Sequence, residues 1–211
     1  MNLGPLDPVY RELYALTKEE ESRPNTGSRI QAGHSFEDET FQAVYSRARE
    51  CDLKALPPRQ KLDLPTASGN QYQFDATFTH GGTFYLLECK RRQITAMEHV
   101  YYFASKVMDH RLALRTNGPR LKGIFLSSVE VGQSSLRFGF GFGLTIIDPK
   151  NPPLCELYAR TSEKNAALSR AIGKLQDQLD SVDPLKLQSN PNPLTLLRSY
   201  EYLKRRVAGV A

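Results

Sequence analysis

The stretch Gln71–Arg92, QYQFDATFTHGGTFYLLECKRR, restricts the fold of this chain more than any other. Two runs of strand-forming residues flank Gly81-Gly82, a dipeptide able to supply the positive φ angles of a two-residue hairpin turn. In the first run Tyr72, Phe74, Ala76 and Phe78 point one way, and Gln73, Asp75, Thr77 and Thr79 the other. The second run, Phe84 to Lys90, is almost wholly apolar until Glu88, Cys89 and Lys90. With the glycines at the turn, His80 faces Thr83, and counting outward sets Asp75 opposite Glu88. Opposed residues share a sheet face with Cβ atoms roughly 5 Å apart. Lys90, two residues beyond Glu88, projects to that face too. Two carboxylates this close repel unless positive charge lies between them. Mg²⁺ suits hard oxygen ligands of this kind, and a neighbouring lysine can orient or deprotonate a water or stabilise an anion. The competing reading is a surface hairpin in which Lys90 neutralises both acids.

Composition narrows the setting of this patch. A chain of 211 residues is long enough for one domain with a sizeable core plus an extension, or for two small domains. The formal net charge of +5 is compatible with a polyanionic partner. Cys51, Cys89 and Cys155 are scattered without CxxC spacing, which argues for a reducing compartment and against a disulfide framework or structural zinc. No apolar run approaches the roughly 20 residues of a membrane span. The opening MNLGPLDPVYREL lacks the basic-then-apolar pattern of a signal peptide. The expected location is cytoplasmic.

Along the chain, Asp7-Pro8 starts a short helix with the stripe Val9, Leu13, Leu16, and the polar TKEEESRPNTGSR that follows reads as a loop. A second helix spans about His34 to Cys51. At about 100° per residue, Phe36, Thr40, Phe41, Val44 and Ala48 share one side, with Glu37 near the centre of that arc. A carboxylate there is costly unless paired or metal-bound; a slightly rotated helix would make Glu37 a rim residue instead. RQKLDL, before Pro65, reads as a short strand leading into the hairpin, giving three sequential antiparallel strands.

After Lys90, Thr95 and Glu98 have capping-box spacing. Met97, Val100, Tyr101, Ala104, Val107, Met108 and Leu112 recur at helical intervals until Asn117-Gly118-Pro119. LKGIFLSS then reads as a buried strand, parallel to the Glu88 strand because a helix carries the crossover. SSLRFGFGFG does not match a phosphate-binding loop. It reads as a glycine-loosened helix or an extended segment packing its phenylalanines on the sheet, ahead of a short edge strand in LTIIDP. Ser162 to Leu179 is an amphipathic helix with Leu168, Ile172, Leu175 and Leu179 in register. A Pro/Asn-rich linker precedes a last helix bearing Lys204, Arg205 and Arg206, a basic run that reads first as a solvated helix end.

The order is helix with Glu37, strand, Asp75 strand, Glu88-x-Lys90 strand, long helix, strand. It resembles the PD-(D/E)XK nuclease superfamily, with the restriction-endonuclease-like fold, over roughly Gly33 to Pro149. Within it the chain is most similar to Mrr-type restriction endonucleases and archaeal Holliday-junction resolvases, on Gly33-His34-Ser35-Phe36-Glu37, on Glu88-x-Lys90 and on LKGIFLSS…LTIIDP. Phe74 stands where proline is frequent, and Glu88 favours the resolvase-like E-x-K variant over the glutamine of many Mrr relatives. The resemblance implies an α/β class: a mixed central sheet flanked by helices, with an N-terminal arm (1–32), a nuclease core (33–150) and a C-terminal helical extension (151–211).

The resemblance also implies roles. Asp75 and Glu88 would ligate Mg²⁺ or Mn²⁺, the main-chain carbonyl of Cys89 would complete the shell, and Glu37 would complete or support the site. Lys90 would position the attacking water. Arg91 and Arg92 are the expected backbone contacts to DNA, with RNA open; Arg111, Arg115 and Arg137 are further candidates. The implied function is a metal-dependent endonuclease of restriction, defence or repair, as a homodimer or a subunit of a larger complex. Three alternatives stand beside it: a structure-selective resolvase, a non-catalytic nucleic-acid-binding scaffold, and a subunit silent until a partner or ligand engages it.

Overall fold

A computed structural model describes residues 3–23, 29–57, 62–91, 97–114, 118, 120–161 and 165–209. Its sheet grows outward from the hairpin. Gly81 and Gly82 adopt φ of 53° and 73°, the left-handed angles that a tight turn between right-twisted strands requires. They join β2 (Ala76–His80) to β3 (Thr83–Lys90), with His80 facing Thr83 as the turn predicts. β1 (Lys54–Ala55) pairs antiparallel with β2. β4 (Arg120–Ser127) runs parallel to β3, and β5 (Leu144–Ile147) parallel to β4. The sheet is therefore mixed, in the order β1-β2-β3-β4-β5, with β5 at an edge.

Helices cover both faces. α1 (Asp7–Ser22) and α2 (Arg29–Ser46) pack Val9, Leu13, Phe36 and Val44 against Phe78, Leu87, Ile124 and Ile147. α3 (Met97–Ala113) and α4 (Gln133–Gly141) lie on the other face, with Phe103 and Leu136 against Leu86 and Phe125. β3, covered on both sides, is continuously apolar from Phe84 to Leu87, as a doubly buried strand tends to be. The architecture is α/β, a mixed sheet flanked by helices, consistent with a restriction-endonuclease-like core.

Several elements differ from expectation. α1 continues through TKEEES to Ser22: lysine and glutamate are good helix formers, and Thr17 and Glu20 turn inward. α2 begins at Arg29 and ends at Ser46, earlier than expected at both ends. Leu62 to Leu64 form no strand, and 59–61 lie outside the described residues. The third antiparallel strand is β1, upstream. Thr95, Asn117 and Pro119, the expected helix signals around α3, also lie outside them.

The Phe-Gly repeat is helical. A Cβ on Gly139 would stand 2.4 Å from Ile146 Cδ1, so glycine lets α4 lie close on β5. α5 (Leu154–Thr161), which the sequence reading missed, α6 (Ala166–Asp180) and α7 (Pro193–Ala208) place Leu157, Ile172 and Leu203 in the same core as α3. Asn165 and Asn192 cap α6 and α7. Among the described residues no helix is long and apolar enough to cross a membrane.

Candidate active site

The β2–β3 ladder ends at Ala76 opposite Leu87. The next pair would be Asp75 with Glu88, but the chain bends there. Asp75 N–H donates to the Leu87 carbonyl at 3.0 Å, one residue out of step with the ladder. The slip breaks the single-sided alternation expected from Tyr72 to Phe78. Ala76 and Phe78 face α1 and α2, whereas Phe74 turns to the other layer and meets Phe103 edge to face at 6.3 Å. Such irregularities re-aim side chains, and here the Asp75 carboxylate reaches the edge of β3, where Oδ2 accepts the Cys89 N–H at 2.7 Å. The Lys90 carbonyl turns to β4, taking the Ser128 N–H at 3.1 Å. By alternation the Cys89 carbonyl faces the Asp75 edge.

Glu88 is buried on the α3 side, and both its oxygens are engaged. Lys90 Nζ lies 2.7 Å from Oε1, and Lys106 Nζ lies 2.9 Å from Oε2. Lys106 sits between two rings, its Nζ 5.6 Å from the Phe74 centroid and 4.9 Å from that of Tyr102. Sequence reasoning missed Lys106. The sequence hides it: Lys106 lies opposite the stripe of Met97, Val100, Tyr101, Ala104, Val107, Met108 and Leu112, whereas the face actually buried is rotated to Val100, Phe103, Val107 and His110 and reaches Lys106. On that face the argument that a buried charge needs a partner, applied to Glu37, applies more strongly.

Electrostatics ties these groups together. Burial, then the charge of Glu88, raises the pKa of Asp75; the Cys89 N–H and Lys90 oppose the rise, and Glu37 adds to it. Burial would lower Lys90, but the charge and hydrogen bond of Glu88, with Asp75, outweigh it and raise Lys90. Burial and Asp75 push the Cys89 thiol well up, which keeps it protonated and no nucleophile.

Glu37 is not at the centre of the buried arc. Phe36, Thr40 and Val44 occupy that line, and Glu37 stands on its rim with His34 Nδ1 3.3 Å from Oε2. Its charge still reaches Asp75 and Cys89. The structure thus gathers Asp75, Glu88, Lys90 and Lys106, with Glu37 approaching from the opposite layer.

The expected arginines fare differently. Arg91 Nε donates to Glu20 Oε1 at 2.9 Å, and the Glu20 side chain is only 1% exposed, so the charge of Arg91 is committed to tying β3 to α1. Arg92 and Arg115 lie outside the described residues. Arg111 is corrected to a structural role: it donates to the carbonyls of Leu121 and Phe142, and burial lowers its pKa to about 10. Arg137 is exposed on α4. Lys204 donates to Asn151 and Glu201, and Arg205 Nε to the Glu201 carbonyl.

Among the described residues no three His, Cys, Asp or Glu side chains stand close enough together to hold a metal ion. The oxygens at this edge nonetheless have the chemistry of a hard-cation site: the carboxylates of Asp75 and Glu88 and the Cys89 carbonyl suit Mg²⁺ or Mn²⁺. An ion binding Glu88 would share its oxygens with the two ammonium groups or replace one of them.

No family model matches this chain, and no curated protein matches it. Among solved structures it is similar to the small subunit of the heterodimeric restriction endonuclease R.BspD6I, at 16% identity and a TM-score of 0.41 over 95% of this chain and 97% of that one. It is also similar to AF1548, a protein of unknown function, at 12% identity and a TM-score of 0.40 over 80% of this chain and 98% of that one. The chemistry of the Asp75–Glu88 edge stands on its own geometry.

Proposed function

We propose that this chain is a divalent-metal-dependent phosphodiesterase that cleaves DNA internally, in restriction, defence or repair. The observation that carries the reading is the convergence of Asp75, Glu88 and Lys90 where the chain bends away from β3. Asp75, Glu88 and the Cys89 carbonyl would hold Mg²⁺ or Mn²⁺. Such an ion supplies charge neutralisation at the phosphate and an acidified water. Lys90, the more exposed of the two lysines on Glu88, orients the attacking water and faces the charge that develops on phosphorus-bound oxygens. Lys106 is a positioning residue: clasped between Phe74 and Tyr102, it holds Glu88 in one orientation. Glu37 supports the site from its rim. As a homodimer it would present two such sites to DNA; as a subunit of a larger complex it would contribute one.

Cleavage of supercoiled plasmid with Mg²⁺ or Mn²⁺ tests the reading. Wild type should nick or linearise it, EDTA should stop the reaction, and Lys90→Ala should slow it by about 10²–10³-fold with the circular-dichroism spectrum unchanged. Undiminished cleavage in Lys90→Ala would remove the assignment. One observation favours a non-catalytic scaffold instead: both Glu88 oxygens are already ion-paired. A scaffold would bind nucleic acid and cut none under any metal. Preference for a four-way junction over matched duplex would mark a resolvase.

A further inference from the structure

The proposed site has an aromatic neighbour that no step of the hydrolysis uses. Tyr102 is 60% exposed, and Tyr101 and Met97 beside it on the opening turns of α3 are exposed as well. Tyr102 is also not loose: Lys106 Nζ lies 4.9 Å from its ring centroid, and the same Nζ lies 2.9 Å from Glu88 Oε2. Tyr102 is therefore two contacts away from the carboxylate of the proposed centre. A cation against one face of a tyrosine leaves the other face for a flat partner. Tyr101 has a different engagement, its ring 3.9 Å from that of Phe138 on α4.

We infer that the exposed face of Tyr102 is a stacking platform for an unpaired nucleobase next to the scissile phosphate. The inference rests on the nuclease reading for its ligand and narrows the substrate to nucleic acid with a splayed or single-stranded nucleotide at the cut. Bases within an intact duplex are stacked on one another and cannot reach a side chain on a helix surface, whereas unpaired bases stack on aromatic rings irrespective of sequence. Tyr102 supplies the face, and Lys106 behind it draws electron density toward the charge and holds the ring in place. The platform adds affinity without base-specific hydrogen bonds, so discrimination is by strandedness.

The test uses the whole chain with Ca²⁺ and a single-stranded oligonucleotide carrying 2-aminopurine, alongside the same sequence as matched duplex. Wild type should quench 2-aminopurine fluorescence on binding. Tyr102→Leu should weaken single-strand binding by about tenfold or more, abolish the quench and leave duplex affinity within about twofold. Tyr102→Trp should retain both affinity and quench. Equal binding and quenching in wild type and Tyr102→Leu would overturn the platform, as would failure of wild type to bind the single strand. Cleavage of the same single-stranded oligonucleotide separates the two claims. Quenching without cleavage under Mg²⁺ or Mn²⁺ would keep the platform and remove the nuclease; cleavage with no dependence on Tyr102 would do the reverse.

Discussion

Two buried carboxyl sites lie at the C-terminal ends of β3 and β5, with β4 between them, and they are satisfied in opposite ways. Asp148, just past β5, accepts N–H donors from Lys150 at 2.8 Å and Asn151 at 2.9 Å on Oδ1, and from Val131 at 3.0 Å and the Asn151 amide at 2.7 Å on Oδ2. Three of those donors are main chain, so the carboxylate is locked into a turn that joins β5 to the loop before α4. Glu88, on β3, has no such frame in its side-chain contacts: its oxygens are held by the tips of Lys90 and Lys106. Asp75 beside it holds one main-chain donor, Cys89. A carboxylate saturated by backbone cannot change partners without unfolding its loop. One held by lysine chains can exchange an ammonium for another cation. The same burial therefore serves structure at Asp148 and leaves chemistry open at Asp75 and Glu88.

That contrast can be broken by substitution. The largest effect belongs to Asp148→Ala, which strands buried donors at about 1–3 kcal/mol each and should lower the unfolding free energy read by urea titration by several kcal/mol in total. Lys106→Met comes next. It leaves Glu88 with a single, more exposed partner, a loss of about 3–5 kcal/mol by the measure of broken buried pairs, read by urea unfolding. An equal, small cost at both sites would erase the distinction.

Asp75→Asn should go the other way. Burial and Glu88 raise the Asp75 pKa above its ordinary 3.8, so the folded state holds this proton more tightly than the unfolded state. Its contribution to stability therefore falls as pH rises from 3.8 through the raised folded value. The asparagine removes that cost and still offers an oxygen to the Cys89 N–H. Its melting temperature should exceed wild type at neutral pH, by about 2–4 °C per kcal/mol regained, and the gap should close below the ordinary carboxyl range. A lower melting temperature at neutral pH would show that the charge of Asp75 is fully compensated. The smallest effect is the control: Arg160→Ala breaks the exposed pair with Glu156 and should cost no more than about 1 kcal/mol.

Periodicity made much of this legible. The glycine turn set the β2–β3 register, the crossover rule set β4 parallel, and the stripe of α3 placed it on the sheet. What escaped was whatever departs from a repeating pattern. A one-residue slip at Asp75 has no sequence marker, since Phe74 and Ala76 alternate as they would in a straight strand; only the competing demands of two cores reveal it. β1 is two residues long, too short for alternation. Glu37 was misplaced by a small rotation about the axis of α2, and Lys106 was hidden by a larger one about that of α3, whose buried face leaves Met97 and Tyr101 exposed. Arg91 and Arg111 show why basic residues are poor predictors of contacts: an arginine committed to Glu20, or to backbone carbonyls, looks the same in one dimension as one awaiting a phosphate.

The most direct measurement is Mn²⁺ binding, followed by electron paramagnetic resonance, in wild type and Asp75→Asn. The predicted result is saturable binding by wild type, weakened about tenfold or more in the variant. Identical binding in both, or none by wild type at millimolar Mn²⁺, would contradict a metal centre between Asp75 and Glu88.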